Sequence, residues 1–264
     1  MTNITLRVLD KYDLPLLPGE ATPIPGQKDL SYYEYVSTDP NSSRWNETAK
    51  NLLCVLHCLE GVPKGISLEE PFGGVGVFTV VLRGELKPVT HRLFEIDPQC
   101  YKQLTTITRG KKGMQVKKRD ANKRMGRKYS DVFVIDFPFF TLVKWHKKGI
   151  WKEGFQRVFK QKPKRILVTD GASALYQTHW FKTGGYAKSI GITTEITKER
   201  ESYVKAMSEL YWKEQGYSIT RCGYHGSCFY YALEPKEPSE IDFKFFPSGS
   251  GKGLIKIASN TEEI

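Results

Sequence analysis

The sequence contains no Cys-x-x-Cys pair and no Pro-Cys pair, and each absence excludes a chemistry. Structural zinc is held by closely spaced thiolates of the first kind. Methylation at pyrimidine carbon five needs a cysteine nucleophile, usually just after a proline. Cysteine is scarce, with 5 in 264 residues, and the odd number fits reduced, buried thiols rather than a disulfide framework. No metal site is expected. No run approaches the roughly 18 apolar residues needed to span a membrane. Met1 to Asp10 lacks a basic-then-apolar signal pattern, so a cytoplasmic protein without a membrane partner is expected. Acidic residues are also in deficit: 29 Asp and Glu face 40 Lys and Arg, a net charge of +11. That balance favours an anionic partner.

What the chain does have is a glycine-rich turn set between apolar runs. Ile66 to Leu68 leads into Glu70-Pro71-Phe72-Gly73-Gly74-Val75-Gly76, and Val77 to Leu82 follows. The pattern predicts a buried strand, a tight turn and a helix. Glycines there permit positive φ and a close approach of backbone to ligand. Glu70 places an acid at the strand end, where a cation or hydroxyl would sit. His91 to Asp97 is a second acid-ended strand, with Pro98 opening a helix to about Thr108. Glu95 stands where a strand–helix–strand unit places an acceptor for ribose hydroxyls. Met114–Lys118 then leads to Asp120-Ala121-Asn122, and Asp131 to Ile135 ends in Asp136-Phe137-Pro138-Phe139. Acid-tipped strands at regular spacing describe an α/β sheet that binds a nucleotide-like ligand at its carboxyl edge.

On these residues the chain resembles the class I S-adenosylmethionine-dependent methyltransferases over roughly Lys50 to Pro235. The resemblance implies a Rossmann-like sheet, mostly parallel with an antiparallel closing hairpin and helices on both faces. It also implies S-adenosyl-L-methionine as cofactor. Glu70, Gly73, Gly74 and Gly76 match the motif that holds the methionine part, Glu95 the acid on both ribose hydroxyls, and Asp120 the contact to the adenine amino group. Phe72, Ile96, Ala121 and Asp136 complete the implied cofactor site. Asp136-Phe137-Pro138-Phe139 is similar to the Asp-Pro-Pro-(Tyr/Phe) motif of enzymes that methylate exocyclic amino groups of bases, with Phe137 replacing the first proline. The acid-hydrophobe-acid Glu95-Ile96-Asp97 is also found in small ribosomal RNA guanine methyltransferases. The implied roles are acceptance of the amine protons by Asp136 and the Phe137 carbonyl, rigidity from Pro138 and base stacking by Phe139. A dinucleotide-binding dehydrogenase would need Gly-x-Gly-x-x-Gly, and the third glycine is missing here.

The positive charge is clustered. Lys117, Lys118, Arg119, Lys123, Arg124, Arg127 and Lys128 surround the single acid Asp120, and such a rim would neutralise the phosphates of RNA or DNA. Residues 1–44, rich in Pro and Tyr, read as an arm. Residues 45–235 form the catalytic domain, and 236–264 a flexible tail, with arm and tail as places for a protein partner. Tyr217–Arg221 and Cys228–Glu234 are predicted to form the closing hairpin. No separate stretch of about 80 residues remains for target recognition, which favours RNA or a partner subunit. Two other readings stay open: a methyltransferase of small molecules or proteins, and an idle methyltransferase fold that binds nucleic acid.

Overall fold

The structure is a computed structural model, and it describes residues 43–74, 76–135, 152–170, 199–225, 228–237 and 239–246. Helix α1, Ser43–Leu59, precedes β1, Ser67–Glu70. Three strand–helix units follow: α2 (Val77–Leu86) to β2 (Thr90–Glu95), α3 (Pro98–Thr108) to β3 (Met114–Lys118), and the short α4 (Ala121–Arg124) to β4 (Val132–Ile135). Helix α5 (Lys152–Gln161) leads to β5 (Arg165–Asp170), and α6 (Arg200–Met207) continues through a π turn and a 3₁₀ turn to Gln215. The chain closes with β6 (Ser218–His225), β7 (Cys228–Glu234) and β8 (Asp242–Phe245).

All eight strands form one sheet in the order β3-β2-β1-β4-β5-β7-β6-β8. Strands β1 to β5 are parallel, and β7 runs antiparallel to both β5 and β6. Reversal at β7 returns β6 to the common direction, and β8 pairs parallel with β6. The carboxyl ends of every strand except β7 therefore share one edge. Strand order reverses between β1 and β4, which makes that point of the carboxyl edge the topological switch.

Burial explains why the central strands are apolar on both sides. Val132 and Val134 of β4 join Leu68, Val81, Leu82, Leu167, Tyr230 and Ala232 in one core, under α1 and α2. Phe133 and Ile135 join Ile166, Val168, Val158, Met207, Trp212, Phe229 and Tyr231 in the other, under α5 and α6. This is the period-two alternation of a strand covered on both faces. Right-handed crossovers leaving the switch point in opposite directions put α2 and α5 on opposite faces. Helix α1 crosses β6 so closely that a Cβ on Gly223 would lie 2.8 Å from the Cys54 Cα.

Two expectations change. The tail assigned to 236–264 contains β8: the Phe246 N–H donates to the Tyr224 carbonyl at 2.8 Å, and the Phe246 side chain is buried. Alternating polar and aromatic residues, Asp242-Phe243-Lys244-Phe245, suit a strand at the sheet margin. The hairpin strand expected at Tyr217–Arg221 extends to His225. The predicted reduced thiols are found at Cys54, Cys58, Cys100 and Cys222, all buried and unbridged. Burial pushes the Cys58 thiol up to about 12.

Candidate cofactor and substrate site

Strand β1 ends in two consecutive carboxylates, Glu69 and Glu70, each 1% exposed. Successive residues of a strand face opposite ways, so each needs its own partner, because a buried charge is tolerated only when paired and hydrogen-bonded. Register supplies both from β2, with Leu68 opposite His91 and Glu69 opposite Arg92. Arg92 Nε donates to Glu69 Oε2 at 3.1 Å, and the Gly126 N–H donates to Glu69 Oε1 at 2.8 Å. Burial nevertheless holds the Glu69 carboxyl above its ordinary range, with Gly126 and Arg92 pulling against it. On the other face, His91 Nε2 lies 3.0 Å from Glu70 Oε2, and the Thr79 hydroxyl donates to the same oxygen at 2.8 Å. Glu70 thus ties the end of β1 to the first turn of α2.

The turn between them needs its glycines. Gly74 has φ 50° and Gly76 φ 91°, both left-handed, where a Cβ is strained. The Gly76 N–H donates to the Gly73 carbonyl at 3.0 Å, and the Gly73 N–H donates to the Phe94 carbonyl at 3.1 Å. The turn is thereby docked onto the end of β2. Gly76 is the N-cap of α2 and offers no side-chain cap. Among the described residues the α2 amino end is closed by no carboxylate or hydroxyl.

Glu95 lies at the end of β2 and gathers three backbone donors. Its Oε2 accepts the Gly74 N–H at 2.8 Å, and its Oε1 accepts the Ile96 and Asp97 N–H groups, each at 2.7 Å. Burial raises the Glu95 carboxyl above its ordinary range, and these three amides oppose the rise. Asp97 has a different task. It caps α3, accepting from the Gln99 and Cys100 N–H groups at 2.9 and 2.8 Å, with Pro98 in the first helical position. Ile96, between the two acids, is 65% exposed. The Arg119 N–H donates to the Glu95 carbonyl at 3.1 Å, so the chain leaving β3 is fixed to the same edge. Asp120 follows at once and caps α4 through the Asn122 N–H at 2.9 Å, while Ala121 is buried.

The structure therefore brings Glu70, Gly73, Gly74, Gly76, Glu95, Ile96 and Asp120 to one edge beside the switch point. Phe72 is half-buried and packs toward the α5–α6 core. Asp136, Phe137, Pro138 and Phe139 lie outside the described residues, as does the arm through residue 42; β4, which leads into them, ends at that switch point. Lys117, Lys118, Arg119, Lys123, Arg124, Arg127 and Lys128 lie on β3, α4 and the turns beside them, and all seven are exposed. Sequence reasoning missed His91, Thr79 and the Glu69–Arg92 pair. The signal was there: adjacent acids in a strand require cations or donors on its neighbour, and β2 carries the adjacent pair His91-Arg92.

Similar sheets occur in solved structures. Trm1 from Pyrococcus horikoshii, in complex with S-adenosyl-L-methionine, superposes with a TM-score of 0.51 at 11% identity, covering 75% of this chain and 56% of that one. The fold is that of class I methyltransferases. A protein of the same organism described as a candidate RNA methyltransferase, PH1948, has a TM-score of 0.48 at 13% identity, covering 87% of this chain and 96% of its own. Magnesium protoporphyrin IX methyltransferase from Synechocystis PCC 6803, with bound SAH, has a TM-score of 0.47 at 11% identity, covering 76% and 88%. No family model matches the sequence, and no curated protein matches it. No helix among the described residues is long and apolar enough to cross a membrane.

Proposed function

We propose that this chain is an S-adenosyl-L-methionine-dependent methyltransferase acting on an exocyclic amino group of a base in RNA or DNA. The observation that carries the reading is Glu95, held by three backbone amides and linked to the glycine turn at the switch point of the sheet. A carboxylate has about four acceptor positions, and three are used, so one remains for a ribose hydroxyl and a second opens if Gly74 lets go. Ile96 offers an apolar face to the adenine, with Asp120 as acceptor for its amino group. The uncapped amino end of α2 suits the carboxylate of the methionine part. Glu70 Oε1, bonded by no described residue, suits its amino group. Trm1, whose fold the chain shares, holds this cofactor, which supports the assignment.

When bound, the sulfonium cofactor supplies an electrophilic methyl group, so the protein's task is alignment. Asp136 and the Phe137 carbonyl are proposed to accept both protons of the target amine. Those bonds would free the nitrogen lone pair from the ring, and Asp136 would take the proton released as the nitrogen replaces the sulfur on the methyl carbon and the thioether departs. Phe139 stacks on a base taken out of its helix, and Pro138 fixes the loop. The basic surface of β3 and α4 holds the phosphates. The catalytic unit is proposed to span residues 45–235 together with β8 of the same sheet, with residues 1–44 as an arm able to meet a protein partner. Incubation with labelled cofactor and total RNA or DNA, followed by nucleoside mass spectrometry, tests the reading, with an N-methylated base as the expected product. Cofactor binding without transfer to any acceptor favours the idle fold, for which the Phe137 replacement speaks. Transfer only to protein or small-molecule fractions favours the other acceptors.

A further inference from the structure

We propose that the margin of the sheet formed by β6 and β8 is a base-stacking platform for single-stranded nucleic acid, leading away from the catalytic cleft. The proposal rests on the methyltransferase reading for the strand's destination, and on an aromatic ladder for its path. Register places Asp170 of β5 opposite Phe229 of β7, Phe229 opposite Tyr224 of β6, and Tyr224 opposite Phe245 of β8. The Phe229 and Tyr224 ring centroids are 5.9 Å apart at 34°, and those of Tyr224 and Phe245 are 5.2 Å apart at 34°. Phe229 is fully buried, Tyr224 half-buried, and Phe245 41% exposed. A row of rings thus emerges from the core at the end of β5 and reaches solvent at β8. Because β6 and β8 run parallel to β1–β5, it emerges on the same carboxyl edge as Glu70, Glu95 and the end of β4.

Cations frame the exposed end. The Arg200 guanidinium carbon stands 6.0 Å from the Tyr224 ring centroid and 5.7 Å from that of Phe245. Lys205 Nζ lies 5.8 Å from the Phe243 centroid, on the same face of the sheet. Neither Arg200 nor Lys205 has a carboxylate partner among the described residues, whereas Asp242, the acid on β8, is engaged by Arg221 at 2.7 Å. Rings with such cations beside them fit bases joined by phosphates, and aromatic stacking is tolerant of base identity. Four interstrand steps separate β4 from β8. At about 4.8 Å each they span roughly 19 Å, within reach of a short single strand.

Fluorescence anisotropy of the full chain with a labelled single strand of about ten nucleotides tests the platform, with a duplex of the same length as comparison. Phe245→Ala is expected to weaken single-strand binding about tenfold, on the scale of one lost base stack. Phe245→Trp restores it, and Arg200→Gln weakens it less. Unchanged affinity in Phe245→Ala overturns the proposal, as does an equal loss on the duplex. A change of sedimentation with unchanged affinity overturns it in favour of a second copy of this chain on that face. A fall in melting temperature with unchanged affinity overturns it in favour of packing. Methyl transfer is measured in parallel. Loss of binding in Phe245→Ala when no base is methylated leaves the platform standing and removes the base-methylation reading; base methylation with affinity indifferent to Phe245 does the reverse.

Discussion

The Gly74 N–H donates to Glu95 Oε2 at 2.8 Å across 21 positions of sequence. This one bond joins the turn after β1 to the acid at the end of β2, the two parts of the proposed cofactor site. It also occupies an acceptor that both ribose hydroxyls would need. Binding of S-adenosyl-L-methionine is therefore expected to exchange this bond for one to the cofactor. The Gly74 amide resonance should shift on titration, and Glu95→Ala should lower affinity by about tenfold or more, in line with loss of a charged hydrogen bond worth roughly 1.5–3 kcal/mol. Calorimetry measures the second. A Gly74 resonance indifferent to saturating cofactor would argue that the ligand sits elsewhere.

Acid should act on this site in two opposite directions. Burial, opposed by three amides, raises the folded Glu95 carboxyl above its ordinary 4.5. Between 4.5 and the raised value the folded state holds more proton than the unfolded chain, so this residue's stability contribution is greatest below 4.5 and is lost as pH rises through the folded value. The cofactor needs the ionised form, so affinity should fall as pH drops through that same window. Opposite slopes in melting temperature and in cofactor affinity are expected, and Glu95→Gln should flatten both.

Asp131 should behave in the contrary sense. Burial alone would raise its carboxyl, but the Ser67 hydroxyl and N–H, bonded to Oδ2 at 2.7 and 2.9 Å, together with Lys164 at 2.9 Å, bring it down to about 2. Its carbonyl also accepts from the Lys164 and Arg165 N–H groups, so it pins the starts of β1, β4 and β5 together. A depressed folded value gives stability that is complete above the ordinary 3.8 and lost as pH falls toward 2. Asp131→Asn is expected to cost about 1.5 kcal/mol at neutral pH, read from urea unfolding, with the difference shrinking in acid.

The basic surface makes its own prediction. Lys117, Lys118 and Arg119 are exposed at the end of β3, the sheet-edge strand opposite β8. Replacing all three with Gln should weaken nucleic-acid binding and reduce the slope of log affinity against log salt by up to about three, one for each phosphate no longer neutralised. A slope unchanged by the triple replacement would place the phosphates elsewhere. Lysines on an exposed edge strand also block strand-to-strand association, so increased self-association of the variant with an unaltered salt slope would assign them that role.

How much could be read beforehand depended on how local each signal was. Strands β1 to β4 and helix α3 follow from apolar runs closed by Pro, Gly or acid, whereas their order in the sheet, β3-β2-β1-β4, is not their order along the chain. The glycine turn and Glu95 were legible because their constraints, positive φ and an acid at a strand end, are written within a few residues. The partners of Glu70 were not, because His91 reaches it through strand register and Thr79 through a helical turn. Strand β8 was missed because four residues between Pro- and Gly-rich stretches resemble a tail; only pairing with β6 and burial of Phe246 make them a strand.

The proposed chemistry is most sharply separated from binding at Asp136. The residue is assigned to the acceptor amine rather than to the cofactor, and it follows the last residue of β4, Ile135, at the switch point. Asp136→Ala is therefore expected to lower methyl transfer by on the order of a hundredfold or more, the scale of a lost proton acceptor, while cofactor affinity measured by calorimetry stays within about twofold. Glu95→Ala should reverse the pattern and show its damage first in cofactor affinity. Phe139→Ala should fall between, losing about tenfold in transfer through one base stack. The product decides the assignment independently of rate. A methyl group on an exocyclic nitrogen fits an amine whose two protons face Asp136 and the Phe137 carbonyl, whereas a ribose hydroxyl or a ring carbon does not present such a pair. Either of those products would remove the role proposed for Asp136-Phe137-Pro138-Phe139 while leaving the proposed cofactor site at Glu95 untouched.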